Sequence, residues 1–358
     1  MRPLSLTFLK DICNAPSPSG YEEPAAEVYR NYTTEFADEV VTDVHGSVAA
    51  ILNPDAEMRI MLAGHMDEIG FIVNFVSDDG LIYFRGVGGH DSMIPLGQRV
   101  WIHGKERVAG CIGRKPIHLL DTSERDKRPE LYDLWIDIGA SSKAEVQEVI
   151  STGDPITFQY EFQELRHGRA AARGFDNKCG SWVVAEALRL LKEDGGLDPG
   201  VGVYAVATVQ EEIGLRGAKT SAFGINAQSG IAVDVTFAID HPGVSKTRFG
   251  ECDLGKGPSV TRGANVNPKV FRMIGEAAKK LEMNIQIEAE PGGTGTDGNA
   301  MQLNQAGMAV GILGVPLRYM HTPCEVLSLK DLEETAQLMA GYCREVKPDT
   351  DFTPRLGS

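Results

Sequence analysis

The sequence predicts an α/β protein that has a mixed sheet, helices on both faces of that sheet, and a small inserted β-rich domain. Beyond about residue 168, long helical patterns alternate with apolar strands, which is typical of a layered α/β domain. From about residue 70 to 165, short apolar runs are separated by turn residues, which favours an all-β module. We therefore expect one domain built from residues 1–69 and 168–358, interrupted by a PDZ-like or barrel-like domain over residues 70–167.

Each element is read from the spacing of its apolar residues, and turn residues mark its ends. Helical spacing predicts helices over 4–13, 22–36, 143–150, 177–192, 267–281 and 330–346. Apolar runs predict strands outside the insertion over 39–44, 47–52, 59–63, 201–209, 230–235, 284–290 and 309–315. Within the insertion, runs such as GFIVNFV and RVWIHG alternate apolar and polar residues, as half-buried strands do.

Composition and charge exclude several classes of function. The chain has 358 residues, 42% of them hydrophobic and 24% charged, which is ordinary for a globular protein with a sizeable core. Its net charge of −15 is spread along the chain. Such a surface repels phosphate backbones and anionic membranes, so we expect neither nucleic acid nor a membrane as a partner.

The cysteines and the apolar runs predict a cytoplasmic location. Six cysteines lie far apart without a CxxC pair, which is neither a disulfide framework nor a zinc-ribbon pattern. Scattered cysteines suggest a reducing compartment. The first residues have no long apolar stretch of the kind found in signal peptides, and no run reaches the roughly 18 apolar residues of a membrane span.

Acidic and histidine residues recur where apolar strands end. Ligands of α/β sheets bind at the carboxyl ends of strands, so this placement is informative. The candidate residues are His65, Asp67, Asp176, Glu211, Glu212, Asp234 and His321.

Taken one at a time, these residues favour ordinary roles: a polar turn after a strand, a helix N-cap, an acidic turn or a structural histidine. Taken together, two imidazoles and several carboxylates suit a pair of metals such as zinc, cobalt or manganese. A carboxylate bridging the two ions would complete the two-metal site of aminopeptidases. Glu211 and Glu212 are adjacent and cannot face the same way, so one is expected to bind metal while the other acts as general base.

The motifs GHMDEIGF, GFDNKCG, VQEEIGLRGA, AVDV, GTGTD and LRYMHTPCEV occur in this order along the chain. As a set, they resemble the tetrahedral (TET) aminopeptidases, metallopeptidase family forty-two of clan MH. That family includes glutamyl and deblocking aminopeptidases, and some members carry an endoglucanase label. The resemblance extends from about residue 6 to about residue 346.

The resemblance implies a role for each candidate. His65 and Asp234 would bind one metal, Glu212 and His321 the other, and Asp176 would bridge the two. Two further residues would complete the catalytic set: Glu211 as general base and Asp67 as the residue that orients His65.

The resemblance also implies an assembly and a substrate class. The protein would form a tetrahedral dodecamer whose inner chamber admits short peptides, and the inserted domain would serve in oligomerisation or as a lid. The implied activity is metal-dependent removal of N-terminal residues through a metal-bridging water.

Other functions remain open at this stage. A metal-dependent amidase or deacylase of small N-acyl compounds would use the same metals. A glycosidase needs two carboxylates and normally no metal pair. A non-catalytic metal-stabilised binding protein would have no use for a free base such as Glu211. The sequence does not identify the preferred first residue of a peptide, or the roles of Thr296, Asp297 and Cys324.

Overall fold

A large mixed sheet carries the candidate residues. The chain segment that connects two of its strands forms a separate closed barrel. The computed structural model describes residues 1–355, so the last three residues of the expected 168–358 segment lie outside it. In chain order the strands are β1 (Glu39–Thr42), β2 (Val48–Leu52), β3 (Met58–His65), β4 (Gly70–Val76), β5 (Ile82–Val87), β6 (Arg99–His103), β7 (Arg107–Gly113), β8 (Trp135–Asp137), β9 (Pro155–Phe158), β10 (Gln163–Glu164), β11 (Arg169–Ala172), β12 (Val201–Thr208), β13 (Ser229–Phe237), β14 (Ser259–Gly263), β15 (Gln286–Glu290), β16 (Ala309–Arg318) and β17 (Glu325–Ser328).

The helices follow the predicted periodicity where they are long. Their bounds are α1 (Pro3–Asn14), α2 (Glu23–Thr33), α3 (Thr122–Arg125), α4 (Lys143–Val149), α5 (Phe175–Asp194), α6 (Arg216–Ile225), α7 (Lys246–Phe249), α8 (Pro268–Lys280), α9 (Asp297–Met301) and α10 (Leu329–Glu345). Among the described residues, no helix combines the length and the apolar character needed to cross a bilayer.

The large sheet has the order β1-β2-β12-β3-β13-β16-β17-β11-β10, and β14 pairs with both β16 and β15. Its central pairs, β12 with β3, β3 with β13 and β13 with β16, are parallel. The outer pairs β1–β2 and β16–β17 are antiparallel, so the predicted mixed sheet is confirmed.

Helices cover both faces of this sheet, as predicted. On β12, Val203 and Ala205 pack into the core formed with α1, α2, α5, α8 and α10. Tyr204 and Val206, which point the other way, pack into the smaller core that includes residues of α6 and α9. Period-two alternation within one buried strand thus supplies both cores.

Strands β4 to β9 close into a barrel in the order β4-β5-β8-β7-β6-β9. Its interior is a core of its own, with Phe71, Phe84, Ile102 and Ile136 among the buried residues. The β-rich texture of the segment is therefore confirmed as a barrel. The limits 70 and 167 as domain boundaries stay a prediction.

Several sequence-based bounds were wrong in detail. The strand predicted over 230–235 continues to Phe237, because pairing with β16 extends to Leu317. The pattern also missed β14, β17 and α6. Of these, β14 ends in exposed polar residues, and α6 is rich in small residues, so neither presents a strong apolar period.

Candidate metal centre

Three neighbouring strands bring the first candidates together. Parallel pairing places Thr208 of β12 level with His65 of β3. On the other side of β3, the parallel pairing with β13 ends at Ala232 and Ala63, and Asp234 and His65 each follow two residues later. His65 and Asp234 therefore share one face of the sheet, and His65 Nε2 lies 3.7 Å from Asp234 Oδ1.

Asp176 reaches the same point from the start of α5. This helix lies directly against β3 at Gly64, where a Cβ would come within 2.4 Å of the Gly180 carbonyl carbon. The absence of a side chain at Gly64 therefore allows the close approach of helix and strand. Asp176 and Asn177 have non-helical backbone angles at this end of α5, and Asp176 is 7% exposed.

The two carboxylate oxygens of Asp176 lie in two different groups of candidate ligands. Its Oδ1 is 3.3 Å from Nε2 of His65, in a set completed by Asp234. Its Oδ2 is 3.2 Å from Nε2 of His321, in a set completed by Glu212, whose Oε1 is 3.5 Å from the same nitrogen.

These separations fit two metal ions. Two ligand atoms held about 2.0–2.2 Å from one ion at tetrahedral angles stand about 3.4 Å apart, close to the distances seen here. Glu212 Oε1 is buried and lacks a hydrogen-bond partner within the described residues, as expected of an oxygen that coordinates a cation. Imidazole and carboxylate ligands suit zinc, cobalt and manganese.

Glu211 lies beside the first set but outside both. It is 7% exposed, and its Oε2 is 3.6 Å from His65 Nε2. Its neighbour Glu212 turns into the second set, so the adjacent carboxylates face different groups. Glu211 therefore contributes no oxygen to either candidate ligand set.

Asp67 and Glu325 fix the segments that carry the candidates. Oδ1 of Asp67 accepts a hydrogen bond from the Glu211 backbone N–H at 3.0 Å, and Oδ2 accepts one from Glu212 at 3.2 Å. The second imidazole nitrogen of His65 lies 3.1 Å from the Asp67 backbone oxygen and 3.4 Å from Oδ1. The Asp67 backbone is thus the nearer group, whereas the sequence had suggested the carboxylate alone.

Glu325 was given no role from sequence. It is 2% exposed and accepts hydrogen bonds from the backbone N–H groups of Asp176 at 3.0 Å and His321 at 2.8 Å. One buried carboxylate therefore ties Asp176, at the start of α5, to His321, in the loop between β16 and β17. Its position four residues after His321 was the one available signal.

The site holds more carboxylates than the chain neutralises. Burial raises the pKa of Glu211 to about 10 although His65 opposes this. Burial and the Asp176 charge raise the pKa of Glu212 to about 8. At Asp176, hydrogen bonds from His321 and His65 outweigh burial and lower the pKa to about 2. The pocket therefore favours uptake of positive charge.

The three residues whose roles the sequence left open, Asp297, Thr296 and Cys324, occupy three different environments. Asp297 is 2% exposed, accepts a hydrogen bond from the Thr208 hydroxyl, and has a second buried oxygen with no partner in the described chain. Thr296 lies beside Thr294 in the wall of a cavity of ≈ 590 Å³ that opens next to Asp234. Cys324 is an exposed free thiol, and it belongs to neither candidate ligand set.

The barrel contributes a wall to the second set. A Cβ on Gly88 would lie 3.4 Å from the Glu212 side chain, and one on Gly89 would lie 3.6 Å from the His321 ring. Gly88 has φ +79°, a backbone conformation that glycine adopts readily. The loop after β5 therefore covers Glu212 and His321 with bare backbone and leaves room for a ligand.

A second cluster of buried charged residues, which the sequence did not predict, lies next to the candidate metal ligands at the start of α5. Lys178 is fully buried, and its Nζ is 2.8 Å from Glu68 Oε1. Arg173 Nε is 3.2 Å from Glu68 Oε2. Lys178 also donates a hydrogen bond to the Ala15 carbonyl oxygen at 2.7 Å, which fastens the loop after α1 to the start of α5. We call Glu68, Arg173 and Lys178 the rear cluster.

Known proteins are similar to this chain in sequence and in fold. The family model for the M42 glutamyl aminopeptidases matches residues 46–338. A lysyl aminopeptidase of Pyrococcus furiosus is 36% identical, covering 97% of this chain and 99% of the relative. A TET aminopeptidase structure from the Thaumarchaeota archaeon SCGC AB-539-E09 has a TM-score of 0.91 at 36% identity and covers 96% of each chain. The Pyrococcus horikoshii TET1 peptidase, which can assemble into a tetrahedron or a large octahedral shell, has a TM-score of 0.84 at 31% identity and covers 96% of this chain and 100% of its own.

Proposed function

This chain belongs to the M42 glutamyl aminopeptidase family and is a metal-dependent aminopeptidase, and we propose that it cleaves the first peptide bond of short peptides with two divalent ions per subunit. The observation that carries this proposal is Asp176, whose two oxygens lie in two different ligand sets. His65 and Asp234 would hold one ion, Glu212 and His321 the other, and Asp176 would bridge them. Zinc or cobalt fits these ligands, and manganese fits them as well.

The proposed chemistry divides between the ions and the chain. When bound, the two ions supply Lewis acidity that lowers the pKa of a water towards about 7 and polarises the scissile carbonyl. Positive charge bound beside Glu211 would lower its raised pKa and favour its ionised form, and Glu211 would then accept a proton from the attacking water at Oε2, the oxygen that faces His65. Glu211 then returns this proton to the nitrogen of the departing amine as the carbon–nitrogen bond breaks, which yields a free amine and a carboxylic acid. The acid then loses its remaining proton to solvent and becomes a carboxylate.

Asp67 would act as a positioning residue. Its carboxylate holds the backbone of both Glu211 and Glu212, so the base and a ligand keep a fixed relative position. Its backbone oxygen is the nearest partner of the second imidazole nitrogen of His65. A partner on that nitrogen fixes which tautomer faces a metal.

We also propose that the chain forms a homo-oligomer of the tetrahedral type and that residues 70–167 are an inserted domain with a lid or assembly role. The similarity to the Pyrococcus horikoshii TET1 peptidase supports the assembly. The approach of Gly88 and Gly89 to Glu212 and His321 supports the lid role. Light scattering of the purified protein tests the assembly, and a mass well below that of twelve subunits would contradict it.

The activity is tested with a panel of aminoacyl-p-nitroanilides after chelation and after zinc or cobalt is restored. We expect hydrolysis of free-amino substrates when metal is present and none of their N-acetylated forms, because the substrate ammonium faces the acidic site. Hydrolysis of N-acyl compounds alone would move the assignment to an amidase or deacylase. No hydrolysis of any compound with two ions bound would reject the proposed function.

A further inference from the structure

The cavity beside Asp234 shares its floor with the metal centre. Register pairs Asp234 of β13 with Gly314 of β16, and Gly314 with Ser259 of β14. Two residues on, Thr261 pairs with Glu288 of β15. Paired residues point to the same side of a sheet, so Asp234 and Glu288 lie on one face. Gly314 has no side chain, and the side chains of Thr236 and Ser259 occupy the space into which its Cβ would project.

Glu288 presents an anchored negative charge in this floor. Its Oε1 accepts a hydrogen bond from the Thr236 hydroxyl at 2.9 Å, and its Oε2 accepts one from the Ser259 hydroxyl. Hydroxyl donors orient a carboxylate but leave its charge in place. Within residues 1–355, no basic side chain forms an ion pair with Glu288 at the 4.0 Å limit.

A second carboxylate extends the negative charge. Glu290, two residues further along β15, also lines the cavity and points to the same side as Glu288. Its Oε1 accepts a hydrogen bond from the Gly292 backbone N–H at 3.0 Å. Among the ion pairs of the described chain, none involves Glu290.

The rim of the cavity is apolar, and its one cation is turned onto an aromatic ring. Phe237, Phe249 and Ile287 line the cavity and are 65%, 54% and 48% exposed. Arg248 is the one cationic side chain in the described lining, and its guanidinium lies over the Phe249 ring, 4.8 Å from its centroid. An occupant would therefore pass an apolar rim before it reached the carboxylates.

We propose that this cavity receives the side chain of the first residue of the peptide and that Glu288, assisted by Glu290, selects lysine or arginine there. The proposal rests on the proposed function, because it takes Asp234 as part of the catalytic centre. Thr236, whose hydroxyl donates a hydrogen bond to Glu288, lies two residues from Asp234 along β13, a span of about 7 Å. The Glu288 carboxylate therefore stands about one long extended side chain from Asp234. The aliphatic stem of such a side chain would contact the rim, and its cation would meet the carboxylates.

The test compares substrates of matched length. The ratio of kcat/KM for lysyl-p-nitroanilide to that for norleucyl-p-nitroanilide isolates the terminal charge, because norleucine has a similar unbranched stem. We expect a ratio above roughly ten in the wild type, which corresponds to one partly desolvated charge pair. Glu288→Gln should lower the ratio roughly tenfold, Glu290→Gln should lower it less, and added salt should lower it in the wild type.

Controls separate the possible failures. Glu276→Gln changes an exposed carboxylate of α8 that pairs with Lys279, and it should leave the ratio unchanged. Preference for glutamyl-p-nitroanilide would assign the cavity to Arg248 and overturn the proposal, as would a ratio insensitive to both Glu288→Gln and Glu290→Gln. Hydrolysis of norleucyl substrate without lysine preference would reject the selectivity alone. No hydrolysis of any substrate would instead reject the underlying aminopeptidase assignment.

Discussion

Two buried charged clusters meet at the start of α5, and they differ in whether the chain neutralises them. In the rear cluster, Glu68 faces two cations, Lys178 and Arg173, at 2.8 and 3.2 Å. In the metal centre, the carboxylates of Asp176, Glu211, Glu212 and Asp234 face only the imidazoles of His65 and His321.

The difference separates structure from function. A buried carboxylate paired with its own cations fastens segments together, whereas a surplus of buried carboxylates costs folding free energy unless a cation is bound. Arg173 and Lys178 of the rear cluster are only five positions apart in the chain, and Asp176 lies between them. A single segment thus carries both a fastening and a binding role, and mutations should be able to separate the two.

The largest effect is expected from Asp176→Ala. Both ligand sets lose their shared carboxylate, so both ions should be lost and turnover should fall by more than about 10³-fold, since a single lost transition-state contact already costs about 10²–10³. The metal-free variant should unfold more easily than the metal-free wild type, because hydrogen bonds from His321 and His65 lower the pKa of Asp176 and so stabilise its ionised form in the folded chain. Metal analysis and denaturant unfolding test both statements, and a variant that keeps two ions would contradict the bridging role.

Lys178→Met should lower the stability of the fold and leave metal binding intact. Removal of one partner leaves Glu68 with Arg173 alone, and breaking a buried ion pair typically lowers the free energy of unfolding by about 3–5 kcal/mol. The fraction that remains folded should keep both ions. The matched control is Lys279→Met, which removes an exposed pair with Glu276 and should change stability little. A loss below about 1 kcal/mol would place the rear cluster with such surface pairs.

Asp67→Asn should give the smallest effect of the three. The side chain accepts hydrogen bonds from Glu211, Glu212 and Ser19, and its Oδ1 lies 3.4 Å from Nδ1 of His65. Loss of a residue that positions metal ligands in this way typically costs about 10- to 100-fold in metal affinity or activity. Titration of the metal-free variant with zinc measures the affinity directly. An effect as large as that of Asp176→Ala would make Asp67 a ligand.

Sequence alone could predict much of this site, because strand ends are visible as the ends of apolar runs. His65, Glu212 and His321 all follow such runs, and parallel strands bring their carboxyl ends to one edge. The α/β class and the helix layer of α1, α2, α5, α8 and α10 follow from periodicity in the same way, whereas α6 and α9 of the other layer were not predicted. Asp234 shows the limit, since β13 continues past it through pairing with β16 that no local pattern encodes.

The rest depends on contacts between distant segments. Glu68 and Lys178 are 110 positions apart, and a lysine near a helix start normally indicates solvent rather than full burial. Glu325 and Glu288 likewise acquire their roles only in the folded chain, where segments that are far apart in sequence come together. Side-chain spacing carries no signal for such partners.

The most direct test of the two-metal account is Glu211→Gln, measured for metal content and for turnover in the same preparation. The amide cannot accept the proton, whereas the ligand sets of Asp176 stay intact, so we expect two ions per chain and a loss of about 10²–10⁴-fold in kcat. A variant that binds fewer ions would make Glu211 a ligand, and a variant that keeps both its ions and its turnover would contradict its role as the general base.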